Sequence, residues 1–451
     1  MSSSVLLLWA LSATSALAGA GISGTSVPSA GGGFAGPTEA GALGALSNPA
    51  AVARAVAPEL LLDVAVFRRT VTTDLAAWDG PEVATTWAPQ PSAGLAVSFG
   101  RLGLGAAFQA PTSRGGPQPP EGPQRFFTVD STLQLVQGSL LAAYRVHDQV
   151  SIGAGLRVGQ VSYLSEKRVD TGASFNQSFD LDPPLPVGDP LLEGRQRVGA
   201  MSGWSASWVA GVQWVLPSNA QIALSFEPPW RIWVAGPIEQ EPSLDLNAAI
   251  AGEGRVRLGF PAHLTLGGRV PIGRVTLIGD VEYVGWARAG SATSEISGLT
   301  ITSSDPLFDG ILTSSGLAEA DFLASSEGTT ENELGWHDIV IPGLQAQWSA
   351  TDTVDLRAGV WYAPTAVSDD HVTPSNLDFA TITARLAGAV LVVPQLRTAL
   401  TVEKLFVPTR HITTSPYSLD QTVDGVLAPS GNGDYALDVW RFGLSAQLFV
   451  R

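Results

Sequence analysis

The chain has 451 residues, enough for two or three soluble domains or for one large β-barrel. Only 15% of its residues are charged, while 49 are Gly and 13 are Trp, so it presents more apolar surface than water-facing domains usually carry. A net charge of -16 with no basic tract excludes a nucleic-acid-binding protein, and the lack of cysteine excludes disulfides, thiolate metal sites and cysteine nucleophiles.

In chain order, residues 1–18, "MSSSVLLLWALSATSALA", combine an apolar run from Val5 to Leu11 with the small-residue end Ala16-Leu17-Ala18. This pattern predicts a cleaved signal peptide and a mature start at Gly19, although Lys and Arg are missing ahead of the apolar run. No later apolar run is long enough for a membrane helix. An exported, apolar, acidic chain of this kind is either a secreted β protein or an outer-membrane barrel. Residues 19–58 have no strand pattern and include the Gly/Ala-rich stretch "GALGALSNPAAVAR" at 41–54.

From residue 59 onward the chain alternates. In "VSIGAGLRV" (150–158), Val150, Ile152, Ala154, Leu156 and Val158 share one face, and Ser151, Gly153, Gly155 and Arg157 share the other. "VDLRAGVWY" (354–362) and "RVTLIGDVEYVGW" (274–286) repeat the pattern. Trp204 and Trp214 close the two ends of one apolar face. At about 3.3 Å per residue and a tilt of roughly 40°, they stand about 25 Å apart along a membrane normal, the height between two aromatic girdles.

Strands are predicted at about 59–74, 91–99, 102–111, 127–146, 150–164, 204–216, 220–235, 257–270, 274–289, 337–349, 353–363, 380–392, 396–410 and 435–450. Tight turns fall at "GR" (100–101), "VHDQ" (146–149), "PSNA" (217–220), "VPIG" (270–273), "SATD" (349–352) and "VPQ" (393–395). The other connections run long. Short turns opposed to long loops describe an all-β fold, a transmembrane antiparallel β-barrel of about fourteen strands. A barrel that wide has room its own side chains do not fill. The spare residues 19–58, with Asn48, Pro49 and Ala50 forming a rigid bend or beginning a short helix, are expected to plug the lumen as a hatch, leaving 59–451 as the barrel.

The stretches "GALGALSNPAAVA", "LLAAYRVHDQVSIGAGLRV" (140–158), "GWSASWVAGVQWVLPSNAQIALSF" (203–226), "FPAHLTLGGRVPIGRVTLIGDVEYVGW" (260–286) and "VDLRAGVWYAPTAVSDD" (354–370) resemble, in order and spacing, the FadL/OmpP1/TodX family of outer-membrane transporters. The resemblance implies a channel in the outer membrane of a Gram-negative bacterium that takes up hydrophobic small molecules, long-chain fatty acids first among them. Ligand would be captured on apolar external loops, passed to a lumenal pocket, and released sideways near a kinked third strand or into the periplasm under control of the hatch. A hydrocarbon transporter and a non-selective porin are the alternatives. A monomer assembled by the barrel-assembly machinery and surrounded by outer-membrane lipid is expected, with no cofactor and no enzymatic activity. The chain departs from the family in a short fourth external loop, a long fifth one, and Arg451 at the end.

For the lateral opening the counterpart is "LGLGAAF" (102–108), where Gly103 and Gly105 would permit a bend or, alternatively, close packing against the hatch. Apolar capture surface is expected at Trp230, Ile232 and Trp233, and at Leu307, Phe308, Ile311 and Leu312 after Asp305-Pro306. A ligand carboxylate inside the barrel needs a cation. Arg157 points inward beside Gly153, Gly155 and Gly159; Arg357, Arg397 and Arg441 also point inward, and pairing with Asp280, Glu282, Asp355 and Glu403 is the competing role for all four. The five histidines show no metalloprotease or serine-hydrolase spacing, and "DDH" at 369–371 reads as an acidic loop tip.

Overall fold

The computed structural model describes residues 36–76, 80–117, 121, 123–170, 193–241, 248–304, 327–372, 377–415 and 431–450. The expected signal segment, residues 19–35 of the expected hatch, and Leu307, Phe308, Ile311 and Leu312 lie outside the described residues.

The strands run β1 (Glu59–Leu75), β2 (Glu82–Phe99), β3 (Leu102–Pro117), β4 (Asp130–Arg145), β5 (Val150–Asp170), β6 (Glu193–Val215), β7 (Gln221–Glu227), β8 (Trp230–Glu241), β9 (Ala248–Phe260) and β10 (Ala262–Ile272). They continue as β11 (Val275–Gly285), β12 (Ser291–Ser303), β13 (Gly328–Glu333), β14 (Ile339–Ser349), β15 (Val354–Ala363), β16 (Thr381–Val393), β17 (Leu396–Phe406), β18 (Arg410–Ile412) and β19 (Gly433–Phe449). Five pairs, β7/β8, β9/β10, β11/β12, β13/β14 and β17/β18, are successive pieces of one strand, which leaves fourteen. All pairings are antiparallel, and β19 pairs back to β1 from Glu59↔Phe449 to Leu75↔Gly433, closing the barrel. Closure pairs the sheet edges that lipid could not hydrogen-bond, except between β2 and β3 beyond Ser92↔Gln109. Among the described residues no helix is long and apolar enough to cross a membrane.

The alternation read from the sequence is the one that folds. Ile152, Leu156 and Val158 stand exposed on the outside, while Ser151 and Arg157 are buried within. Trp204, Trp208 and Trp214 all face outward on β6 and are 67%, 49% and 45% exposed. The six tight turns fall where expected, with Gly100 and Gly273 at φ +64° and +60°, a region glycine occupies without cost.

The strands run on past their expected ends, β5 to Asp170, β6 from Glu193 and β9 from Ala248, and β12 and β13 occupy residues read as the fifth external loop. Two further departures involve proline. Strand β2 begins at Glu82 rather than at residue 91, so Pro89 lies within it rather than in the preceding loop, and Pro91 lies inside the strand rather than at its start. They fit because β2 stays in unbroken register with β1 while its other edge is open over that span. The stretches 220–235 and 257–270 are each broken at prolines, Pro228-Pro229 and Pro261, which cannot donate to a ladder. The breaks invert the alternation. In β7 the buried side chains are Ala223 and Ser225, whereas in β8 they are Trp230, Ile232 and Val234; in β10 Leu264 and Leu266 face out, whereas in β9 Val256, Leu258 and Phe260 face in. A shift of one residue exchanges the faces of everything that follows.

Inside the barrel lies the N-terminal segment from Gly36, with a short helix α1 (Gly41–Gly44) and a 3-10 helix (Pro49–Arg54). Asn48 caps the 3-10 helix by accepting from the Ala50 N–H at 3.0 Å, and its Nδ2 donates to the Pro37 carbonyl at 2.9 Å and to the Val212 carbonyl of β6 at 3.2 Å. Glycines on the inner wall make this approach possible. A Cβ at Gly211 would lie 2.0 Å from Asn48 Oδ1, and one at Gly153 would lie 2.6 Å from the Ala50 nitrogen.

Candidate functional site

The site is assembled where the proline breaks meet the N-terminal segment. A cavity of about 140 Å³ has Gly36, Pro37, Leu46 and Ser47 of that segment on one side. Its apolar wall contains Leu135, Val209, Trp230 and Phe260, and the last two rings stack at 4.5 Å with 19° between their planes. The inverted alternation after Pro228-Pro229 is what turns Trp230 into this wall. Without the breaks Trp230 would face outward with Phe226.

The polar wall is built from paired groups. Arg157 on β5 donates through Nε to Ser139 Oγ at 3.1 Å and through Nη1 to Glu227, the last residue of β7. His263 Nδ1 meets Glu282 Oε1 at 2.6 Å across the β10–β11 pair. Asp280 accepts from Gln345 Nε2 at 3.0 Å and from Trp361 Nε1 at 3.2 Å. Glu227 Oε1, Glu282 Oε2 and Arg157 Nη2 have no protein partner among the described residues, and none of them is sealed from the cavity by packing.

Beside this cavity the wall of the barrel opens. β2 and β3 pair from Phe99↔Leu102 to Ser92↔Gln109 and no farther. Beyond that point β2 remains on β1 as far as Glu82, and β3 remains on β4 as far as Pro117 after a register slip between Gln109 and Thr112. Pro111, in the slip, lines the cavity. The side chain of Gln90 reaches across and donates to the Pro111 carbonyl at 3.1 Å. Gln109 ties the same place to the N-terminal segment by donating to the Leu46 carbonyl at 2.6 Å and accepting from Gln137 Nε2 at 3.1 Å.

The residues singled out from sequence scatter over these features. Arg157 and Trp230 line the cavity, and Asn48, Pro49 and Ala50 are buried against the inner wall. Ile232 is buried in the core of the β8–β9 extension, and Trp233 lies on the opposite face of the strand, between Arg255 and Arg257 at 4.9 and 5.7 Å. Gly103 and Gly105 lie in regular pairing with both neighbours, and a Cβ at either would meet Ala53 or Val52 of the N-terminal segment at 2.4 or 2.6 Å. The slip of the third strand is therefore several residues farther along. Arg397 pairs with Asp355 and Arg441 with Glu403, whereas Arg357 reaches Glu39 at 3.2 Å.

Glu39 is a residue that sequence reasoning passed over. Its carboxylate meets both Arg357 and Arg269 at 3.2 Å and joins the N-terminal segment to the far wall. Burial pushes this carboxyl up, but Arg357, Arg269 and Arg397 together outweigh burial and hold it below its ordinary value of 4.5. Glu59, at the start of β1, accepts from the Ala42 N–H at 3.0 Å and from Gln447 Nε2 at 3.0 Å, a second attachment. At the "DDH" loop tip, Asp369 accepts from Arg410 and Asp370 meets His371.

A closed fourteen-stranded barrel with an oily exterior, an outward tryptophan row and its own chain packed inside defines an outer-membrane transport barrel. The chain belongs to the outer membrane protein transport protein family (OMPP1/FadL/TodX), whose model matches residues 8–376. It is an outer-membrane protein of a Gram-negative bacterium. The fold is shared with a Pseudomonas aeruginosa FadL homologue at TM-score 0.73 and 16% identity, covering 96% of this chain and 98% of that one. It is shared with the P. putida toluene transporter TodX at TM-score 0.62 and 13% identity, covering 96% and 99%. The Ralstonia pickettii toluene transporter TbuX follows at TM-score 0.58 and 15% identity, also covering 96% and 99%. No curated protein sequence matches the chain.

Proposed function

We propose that this protein takes up hydrophobic small molecules by receiving them in the lumenal cavity and releasing them sideways between β2 and β3. The N-terminal segment acts as a hatch that stops free passage to the periplasm. The observation that carries this reading is the end of the β2–β3 ladder at Ser92↔Gln109, next to a proline that also lines the cavity. An apolar ligand that leaves through such an opening enters lipid directly and is not exposed to water, which its transfer free energy disfavours.

Two ligand classes suit the route. Long-chain fatty acids are supported by Arg157, whose Nη2 is left for a carboxylate. A neutral hydrocarbon is favoured by the cavity itself, because about 140 Å³ is close to the ~150 Å³ that holds a benzene ring in an apolar protein interior. Equilibrium binding of radiolabelled oleate and toluene to wild type and Arg157→Ala separates them. Oleate bound at least tenfold more weakly by the variant supports the acid, and equal oleate affinity removes Arg157 from the site. A non-selective porin would pass a large, steady ion current in planar bilayers, whereas the hatch-blocked barrel passes little.

A further inference from the structure

The head-group preference of the cavity follows from its charges, on the uptake reading given above. Three carboxylates, Asp280, Glu227 and Glu282, face a single arginine and one histidine. Among the lining groups alone, one negative charge is left over with His263 protonated and two with it neutral; behind them Arg385 lies over Trp361 at 4.9 Å and shares Glu403 with Arg441, so the Glu227 and Glu282 side is the acceptor-rich side. A ligand carboxylate entering here adds a further negative charge to a site already short of cations, in surroundings where charge is poorly screened. The free atoms point the same way. Glu227 Oε1 and Glu282 Oε2 are acceptors with lone pairs to spare, each on a carboxylate whose other oxygen is already fixed by Arg157 or His263. The same cavity is lined by Trp230 and Phe260, stacked on one another, an aromatic surface that suits a ring.

We infer that this cavity selects aromatic compounds carrying a neutral hydrogen-bond-donating head, a phenol or an aromatic alcohol, over both the bare hydrocarbon and the matching carboxylate. The hydroxyl donates to Glu227 or Glu282, the ring lies against Trp230, and Arg157 stays engaged with Glu227 as a structural cation. The ligand's own hydroxyl oxygen can in turn accept from Arg157 Nη2, so both ends of its polar head are satisfied.

The test uses three probes of one shape: ethylbenzene, 4-ethylphenol and 4-ethylbenzoate, titrated at pH 7 into the purified full chain in detergent against detergent-only blanks. The phenol is expected to bind about tenfold more tightly than the hydrocarbon, the worth of one hydrogen bond to a charged acceptor, and the benzoate more weakly than either. In Glu282→Gln, which keeps the Arg157–Glu227 pair, the ratio of phenol to ethylbenzene affinity is expected to fall toward one. Ethylbenzene bound as tightly as the phenol, or benzoate bound most tightly, overturns the inference and leaves the uptake reading standing. If no probe binds, that reading fails along with it. The wild-type ratios decide the matter even should a variant not assemble.

Discussion

Strand β3 has two edges with opposite fates. Toward β4 its ladder continues from Leu102↔Tyr144 to Pro117↔Asp130, interrupted by one slip. Toward β2 it stops at Ser92↔Gln109, although β2 itself runs on to Glu82 against β1. A barrel can therefore be opened without ending a strand, provided each strand that parts keeps its other partner. Pro89 and Pro91 on one lip and Pro111 on the other lack the donors that a closed ladder would require. Among the described residues a side-chain contact, Gln90 to the Pro111 carbonyl, spans the gap, and it is weaker and easier to part than a ladder.

The comparison can be broken most drastically from the lumen side. Gly211→Leu puts side-chain atoms where Asn48 sits, since even a Cβ there lies 2.0 Å from Asn48 Oδ1. The hatch is expected to leave its seat, and single-channel conductance in planar bilayers should rise several-fold while the barrel keeps its heat-modifiable mobility. A smaller effect is expected from Glu39→Ala, which removes the carboxylate shared by Arg357 and Arg269. Breaking a buried pair of this kind costs roughly 3 kcal/mol, read as faster hydrogen exchange confined to residues 36–55.

The same carboxylate sets a pH dependence whose sign is fixed. Its value is lowered in the folded protein, so its contribution is fully present above the ordinary 4.5 and is lost as pH falls through the lowered value. Wild-type channel openings should therefore become more frequent on acidification below that range, and Glu39→Gln should flatten the dependence there. The smallest change is Gln90→Ala. Losing one hydrogen bond worth about 1 kcal/mol across the gap should speed ligand exit a few-fold and leave stability of the β1–β2 ladder untouched.

Most of the barrel was legible because its information is local. Alternation, the tight turns and the outward tryptophans each need only a few consecutive residues. The misjudged elements are the outer strand extensions, such as β12 and β13, which lack the clean alternation of the membrane band, and those where proline intervenes. Residues 82–90 did not read as strand, and the missing ladder to β3 is what makes Pro89 and Pro91 acceptable inside one. Pro228-Pro229 and Pro261 leave the hydrophobic pattern looking continuous while reversing which face is inside, so Trp230 read as capture surface when it belongs to the cavity. For Gly103 and Gly105 the sequence left a bend and close packing open, and the structure shows the close approach of Val52 and Ala53. The pairing of Glu39 with Arg269 and Arg357 joins residues hundreds of positions apart. No spacing rule announces it, though a lone acid in a Gly/Ala-rich segment was a cue.

Whether ligand leaves between β2 and β3 is tested most directly by tying the two lips together. Gln90→Cys with Pro111→Cys, bridged by a short reducible thiosulfonate crosslinker, should cut delivery of toluene or oleate into liposome lipid at least tenfold, and reductant should restore it. The Pro111→Cys single variant should behave as wild type, and the Gln90→Cys single variant should release ligand a few-fold faster, as Gln90→Ala does. Undiminished delivery through the bridged barrel would contradict the account and send the ligand out past the hatch.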